Sequence, residues 1–288
     1  MMDMTRKPGA VAMAVVVLAW AAATVSGCGD SGTSPQEAPN HVAELSASTT
    51  AAPPNTATGP ELTLVPPAGA AVTLFQTDVA VVATAVTGDM EGRAEIGLRF
   101  QPVADRAADD YTDVIYLRIE LLTAPGGLIA RRFFYECTDS TCATASSVGA
   151  MTAGNWSSSG AIVTEGTTYT ASIAWVPGTK IVTFSLATGG SPLATATVDL
   201  QQASSGSPAL TAPFDVSLES FVRAFLTAFV QSGAAGGGDG SIKAHFDNVY
   251  VGTNGGNAVL FDNFDGATVF DSSKWIISGA GARIIAGG

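Results

Sequence analysis

The sequence predicts an all-β fold, a two-sheet antiparallel sandwich of the jelly-roll type, preceded by a signal peptide and a disordered tether. Short runs rich in Val, Thr, Ile, Phe and Tyr recur from Leu62 onward, broken by Gly, Pro, Asn and Asp, a pattern that reads as strands and turns. Within the clearest run residues alternate. Tyr169, Ala171, Ile173 and Trp175 are apolar or aromatic, and Thr168, Thr170 and Ser172 are polar, as in a strand with one buried and one wet face. Hydrophobic residues make up 47% of the 288 residues and charged residues 13%, enough apolar side chain for a sizeable core.

The chain opens with a targeting signal. Arg6 and Lys7 precede an apolar run from Val11 to Val25. That run is short for a spanning helix, which needs about 20 apolar residues, and it fits the hydrophobic region of a signal peptide. Val25-Ser26-Gly27-Cys28 follows and resembles the bacterial lipobox. The resemblance implies cleavage before Cys28 and lipidation of that cysteine. Residues 1–27 are then a lipoprotein signal peptide, and the mature chain is exported and lipid-anchored at the outer membrane or cell surface. Acyl anchoring is stable because each buried CH₂ contributes about 0.8 kcal/mol.

Gly29 to Pro60 is rich in Ser, Thr, Ala and Pro and lacks aromatics. Such a stretch buries too little apolar surface to offset its chain entropy. Residues 28–60 are therefore expected to form a lipidated flexible tether, with His41 solvated inside it. Residues 61–288 are expected to form the sandwich.

Predicted strands are Val72–Val86, Gly92–Pro102, Val114–Leu122, Ile129–Cys137, Thr168–Val176, Ile181–Thr188, Leu193–Leu200, Ile242–Gly252 and Val259–Asp262. Val176-Pro177-Gly178-Thr179 supplies turn geometry between two of them. One segment reads two ways. Phe221, Val222, Phe225, Leu226, Phe229 and Val230 have helical spacing, with Gly233 as a stop. Its place before Ile242–Gly252 favours a hairpin strand, and a strand is the reading taken. One face then carries Val222, Ala224, Leu226, Ala228 and Val230, and the other Phe221, Arg223, Phe225, Thr227 and Phe229.

The net charge is −12. Arg6 and Lys7 against Asp3 give residues 1–27 a net +1, which leaves −13 on the remainder. This balance excludes nucleic acid as a partner, since phosphates require a basic face. It also excludes polybasic docking onto anionic lipid.

Cys137 and Cys142 flank Thr138-Asp139-Ser140-Thr141. In the oxidising space outside the cell a structural disulfide between them is expected. A metal site would need further Cys or His ligands nearby, and a redox pair usually has two intervening residues rather than four.

Phe246-Asp247-Asn248-Val249-Tyr250-Val251 resembles the closing strand of concanavalin A-like lectin/glucanase domains, the laminin-G-like jelly rolls. Gly166 to Trp175, which reads Gly-x-x-Tyr-x-x-x-Ile-x-Trp, resembles their mid-domain strand, and Ile181 to Gly190 the strand after it. Leu260-Phe261-Asp262-Asn263-Phe264-Asp265-Gly266, followed by Asp271-Ser272-Ser273-Lys274-Trp275, resembles the opening strand of such a domain, which normally comes first. The order implies a circularly permuted jelly roll in which residues 261–288 supply the first strand. The rival reading is a truncated second repeat.

Glucanases of that family carry Glu-x-Asp-x-x-Glu on one strand, presenting two carboxylates to a cleft. No such string occurs here. Glu91 and Glu95 flank Gly92-Arg93-Ala94, and Glu120 stands alone on its strand with Arg118 on the same face. No catalytic residue is therefore assigned. His245 reads as a surface or edge histidine. Calcium is the best candidate metal, since it takes oxygen ligands. Its candidates are Asp105, Asp109, Asp110 and Asp113 in one loop, and Asp247, Asp262 and Asp265 near the end of the chain, with solvated loop acids as the ordinary alternative. Trp156, Phe221, Arg223 and Phe225 are the candidate ligand contacts. The resemblance implies a surface-anchored, non-enzymatic binding module for a glycan or an extracellular protein. The alternatives are a glycan hydrolase or lyase with an unrecognised site, and a structural or adhesive surface lipoprotein.

Overall fold

A computed structural model of the chain describes residues 40–65, 71–100, 114–124, 126–137, 139–140, 145–146, 154–155, 162–176, 181–199 and 222–287. The strands at the N-terminal end are β1 (His41–Thr49), β2 (Ala57–Thr58) and β3 (Pro60–Leu64). Then come the long β4 (Val72–Val86), β5 (Met90–Phe100), β6 (Ile115–Ala124) and β7 (Gly127–Cys137). Three two-residue strands follow, β8 (Ala145–Ser146), β9 (Gly154–Asn155) and β10 (Ile162–Val163). A meander of β11 (Tyr169–Val176), β12 (Ile181–Thr188) and β13 (Ser191–Asp199) leads to β14 (Val222–Ser232) and β15 (Gly240–Thr253). The chain ends in β16 (Val259–Asp262), β17 (Trp275–Gly279) and β18 (Ala282–Gly287).

Among the described residues these strands pair into two antiparallel sheets. The eight-stranded sheet runs β13-β12-β11-β4-β15-β1-β18, with β16 on β15. The ten-stranded sheet runs β10-β7-β6-β5-β14-β3-β17, with β2 on β14 and β8 and β9 on β7. The β12–β13 hairpin turns on Gly189 and Gly190, both at positive φ (54° and 77°), which a two-residue hairpin turn of this hand requires. The inner faces meet in one core that includes Leu45, Phe75, Leu98, Phe184 and Phe246. Trp175 packs edge-on against Phe100, ring centroids 5.5 Å apart, and its indole N–H donates to the Val72 carbonyl oxygen at 2.8 Å.

The ambiguous segment is a strand. β14 turns Val222, Ala224, Leu226, Ala228 and Val230 into the core and pairs with β5 along its whole length. The small alanines leave room for the larger side chains of the facing sheet, so strand burial wins over helical spacing here.

His41–Thr49, expected to lie in the tether, is a strand of the sandwich. β1 lies between β15 and β18, and Ala43, Leu45 and Ala47 on it are buried in the core. His41 is thus not a solvated tether residue: its N–H donates to Asp265 Oδ1 at 3.1 Å, and its Nδ1 accepts from the Gly266 N–H. Low overall hydrophobicity hid a period-two pattern built from alanine and leucine.

The C-terminal segment belongs to the sandwich. β17 pairs with β3, and β18 with β1. Trp275 is buried, stacked on Phe264 at 5.9 Å and edge-on to Phe261 at 5.7 Å, and its indole N–H donates to Asp262 Oδ2 at 2.8 Å. Replacing a buried tryptophan with alanine costs about 3–5 kcal/mol through lost transfer energy and the cavity left behind. Trp275→Ala is therefore expected to lower the unfolding free energy by that amount, read in denaturant unfolding as a lower midpoint at unchanged slope. An unchanged midpoint would place the segment outside the cooperative fold.

Candidate functional site

The two sheets present different outer faces. On the eight-stranded sheet the outward side chains include Thr170, Ser172, Thr183 and Ser185, as period two dictates. Glu44 there accepts from His245 Nε2 at 3.0 Å and pairs with Lys243 at 3.2 Å. His245 therefore occupies the surface position expected of it.

The ten-stranded sheet carries its chemistry outward. Register aligns side chains of β14, β5, β6 and β7 in rows across the sheet. One row is Arg223, Arg99, Tyr116 and Tyr135; the next is Phe225, Gly97, Arg118 and Phe133; the third is Thr227, Glu95, Glu120 and Arg131. Glu95 and Glu120 are each 1% exposed. Arg118 Nη1 grips Glu95 at 3.1 and 2.9 Å. Arg131 Nε donates to Glu120 at 2.6 Å, and Arg93 Nη1 stands 3.6 Å from the same carboxylate. Arg93 and Arg131 both lean toward Glu91 at the rim of this cluster. Glu120 is thus not alone on the face, as its own strand suggests; register sets Glu95 directly opposite it.

The two carboxyls have different charge states. Burial pushes Glu95 up to about 7, the Glu120 charge adding to the rise and Arg118 opposing it. Burial pushes Glu120 up too, but Arg93, Arg118 and Arg131 outweigh it and hold Glu120 below the usual carboxylate range. One group keeps a proton near neutrality and the other is ionised, the division of roles an acid and its partner base require. Glycoside cleavage, however, needs the two carboxyls about 5–10 Å apart around a substrate. Here they face each other directly across paired strands and are nearly closed off from solvent.

Aromatic rings surround the ions. Tyr116 and Tyr135 stack with centroids 4.9 Å apart and planes 11° from parallel. The Arg118 guanidinium lies over Tyr135 at 4.7 Å and Tyr116 at 5.2 Å, and also contacts the Tyr135 hydroxyl. Arg99 lies 5.9 Å from the Tyr116 ring centre, and Arg93 lies over Phe229 at 5.6 Å. The half-buried surface of Tyr116, Phe133 and Arg99 and the exposed Arg223 give this face its reachable part.

Of the candidate ligand contacts, Arg223 lies on this face. Phe225 is 3% exposed: its ring covers Gly97, where a β-carbon would fall 2.1 Å from Cζ, and it meets Tyr116 edge-on. Its ring supports the face from between the strands. Trp156, Phe221, Cys28, Cys142, Asp105, Asp109, Asp110 and Asp113 lie outside the described residues. Cys137 is buried beside Val114 and Tyr135.

The C-terminal acids do gather. A register shift between Asp247 and Tyr250 inserts an extra residue into β15, with Asn248 at φ 48°, so Asp247 points toward Asp78, Asp262 and Asp265. Burial raises Asp247 to about 6, these three acids adding to the rise and the Asn248 N–H opposing it. Their oxygens are already engaged. Asp262 accepts from the Phe264 N–H and the Trp275 indole and pairs with Lys274. Asp265 accepts from His41 and Asn263. Among the described residues no group of three or more His, Cys, Asp or Glu is arranged to hold a metal ion.

No protein-family model matches the chain, and no curated protein matches it. Among solved structures, a legume lectin-like domain from Entamoeba histolytica is similar over 72% of this chain and 89% of its own, at 8% identity and a TM-score of 0.30. Lectin II from Ulex europaeus is similar over 72% and 92%, at 10% identity and a TM-score of 0.30. A basic winged bean lectin solved with Tn-antigen is similar over 75% and 100%, at 10% identity and a TM-score of 0.28. Overlap this loose says nothing about a ligand.

The buried acid pair sets a pH dependence. Glu95 holds its proton to about pH 7 when folded, against an ordinary value of 4.5, so the folded state binds the proton more tightly between those values. Its contribution to stability is complete below pH 4.5 and is lost as pH rises to about 7. Glu95→Gln is expected to flatten that decline in denaturant unfolding measured from pH 4.5 to 8. An equal slope in the variant and the parent would trace the decline to other groups, such as Asp247.

Proposed function

We propose that this chain is a lipoprotein, anchored through Cys28 and displayed outside the cell, that binds a glycan or an extracellular protein without transforming it. One observation carries the binding reading: the half-open row of arginine and aromatic side chains on the outer face of the ten-stranded sheet. Arginine and tyrosine are over-represented where proteins recognise partners, because each joins a large flat contact area to a polar tip. A permuted jelly-roll order and a Cys137–Cys142 disulfide are part of the proposal. The core position of Trp275 supports the first, and burial of Cys137 in an exported chain supports the second.

A glycan-cleaving role is the second reading, favoured by the divided protonation of Glu95 and Glu120. Their place directly opposite each other and their burial weigh against it, since a substrate would have to displace three arginines to reach them.

Two experiments test the proposal. Cys28→Ala is expected to abolish incorporation of labelled palmitate and to move the protein from the membrane to the soluble fraction; retained label would remove the anchor. The full chain in detergent, screened on a glycan array with and without calcium, is expected to bind a subset of glycans independently of calcium and to leave them intact. Released products that disappear in Glu120→Gln would favour the cleaving role.

A further inference from the structure

We infer that the flank of the sandwich formed by β17 and β18 pairs with the same flank of a second copy of this chain, β18 against β18 about a two-fold axis at Ile284.

The placement of exposed apolar side chains is the first argument. Among the described residues seven large apolar side chains are exposed, and six of them, Val259, Leu260, Val269, Ile276, Ile277 and Ile284, come from the C-terminal segment. That segment ends both sheets on one side. Among the described residues β18 pairs only with β1 and β17 only with β3, and β1 faces β3 across the core. β16 pairs with the same edge of β15 as β1 does. Apolar surface gathered on one side of a protein marks a place that meets another molecule.

The two flanks are also guarded differently. A free strand edge presents N–H and C=O groups that template a further strand, and proteins blunt such edges with Pro, charges, bulges or short length. The opposite flank has these devices: β13 carries Pro192 and Asp199 and its pairing with β12 shifts register at Leu186–Ala187, and β10 has two residues. β17 and β18 carry neither proline nor acid. Their one charge, Arg283, turns back on its own connection, its Nη1 donating to the Ser278 and Gly279 carbonyl oxygens at 3.0 and 2.9 Å.

Self-complementarity identifies the occupant as a second copy. Directly opposed residues of an antiparallel pair share a face of the sheet, so two β18 strands in one continuous sheet set each residue against one an even number of positions away. With Ile284, which is 52% exposed, placed on its own copy, Arg283 meets Ile285 and Ala282 meets Ala286. No like charges oppose each other in this register. Glu44, beside Ile284 on β1, is already paired with Lys243 and His245, so a chain of net charge −12 brings no free carboxylate from these strands to the seam. The same axis carries β17 toward its copy in the second layer. There Ile277, 42% exposed although opposite the inward Leu62, closes the open side of the core. The outer face of the ten-stranded sheet stays clear.

The full chain is to be sedimented in density-matched detergent over a range of concentrations. So few paired residues make a small interface, and small interfaces are weak, so dimer is expected at high concentration and monomer on dilution. Ile284→Lys sets two ammonium groups in opposition and is expected to weaken the dimer at least tenfold. Mixing that variant with Ile284→Glu is expected to restore it. Ile284→Cys, which adds no charge, should cross-link to its copy on mild oxidation, and the comparably exposed Val176→Cys should not. Monomer at every concentration would overturn the inference and leave the flank to a different partner. A dimer indifferent to Ile284→Lys, or equal cross-linking at both positions, would overturn it as well.

Discussion

β15 is the strand on which the rest of the fold depends. One of its edges pairs with β4 from Gly240 to Thr253, and the other pairs first with β1 and then with β16. Chain segments from the beginning, middle and end of the fold therefore meet on one backbone. Its inward residues, Ile242, Ala244, Phe246, Val249 and Val251, stay in the core only because the irregularity at Asp247-Asn248 resets the pleat between Phe246 and Val249. The same irregularity turns both polar residues outward. One extra residue thus serves the hydrophobic interior and creates the acidic corner around Asp247.

The two outer faces show that a sandwich does not have to treat its surfaces alike. The eight-stranded sheet carries short hydroxyls and a few solvated charges. The ten-stranded sheet buries carboxylates under guanidinium groups and stacks tyrosines beside them. Desolvation can cancel what buried ions gain from attraction, so such a network is an inefficient source of stability. It does fix side-chain positions: gripping Glu95, Arg118 is held over the Tyr116 and Tyr135 rings, beside their stack.

Most of the fold was legible in period-two patterning. Val72–Val86, Ile181–Thr188 and Val259–Asp262 form strands with the bounds that alternation implies. The β14 segment was legible only from context, since phenylalanines three and four residues apart fit either a helix or a strand. β1 was missed because alanine and serine alternate too weakly in hydrophobicity to stand out among Pro and Thr. The face was harder still. Arg223 could be singled out as a strand residue on the phenylalanine side, yet Glu95 and Glu120 are joined by register alone, and register is a property of pairing that no single strand contains. The burial of Phe225, a candidate contact from its strand alone, depends on Gly97, a neighbour from another strand.

The pairing of His41 with Gly287 has a mechanical consequence. β1 is bonded on both sides, through seven register pairs to β15 and six to β18. A pull transmitted through the chain before Asn40, directed along the strand axis, is shared by both ladders at once, so the bonds do not break one after another from an end.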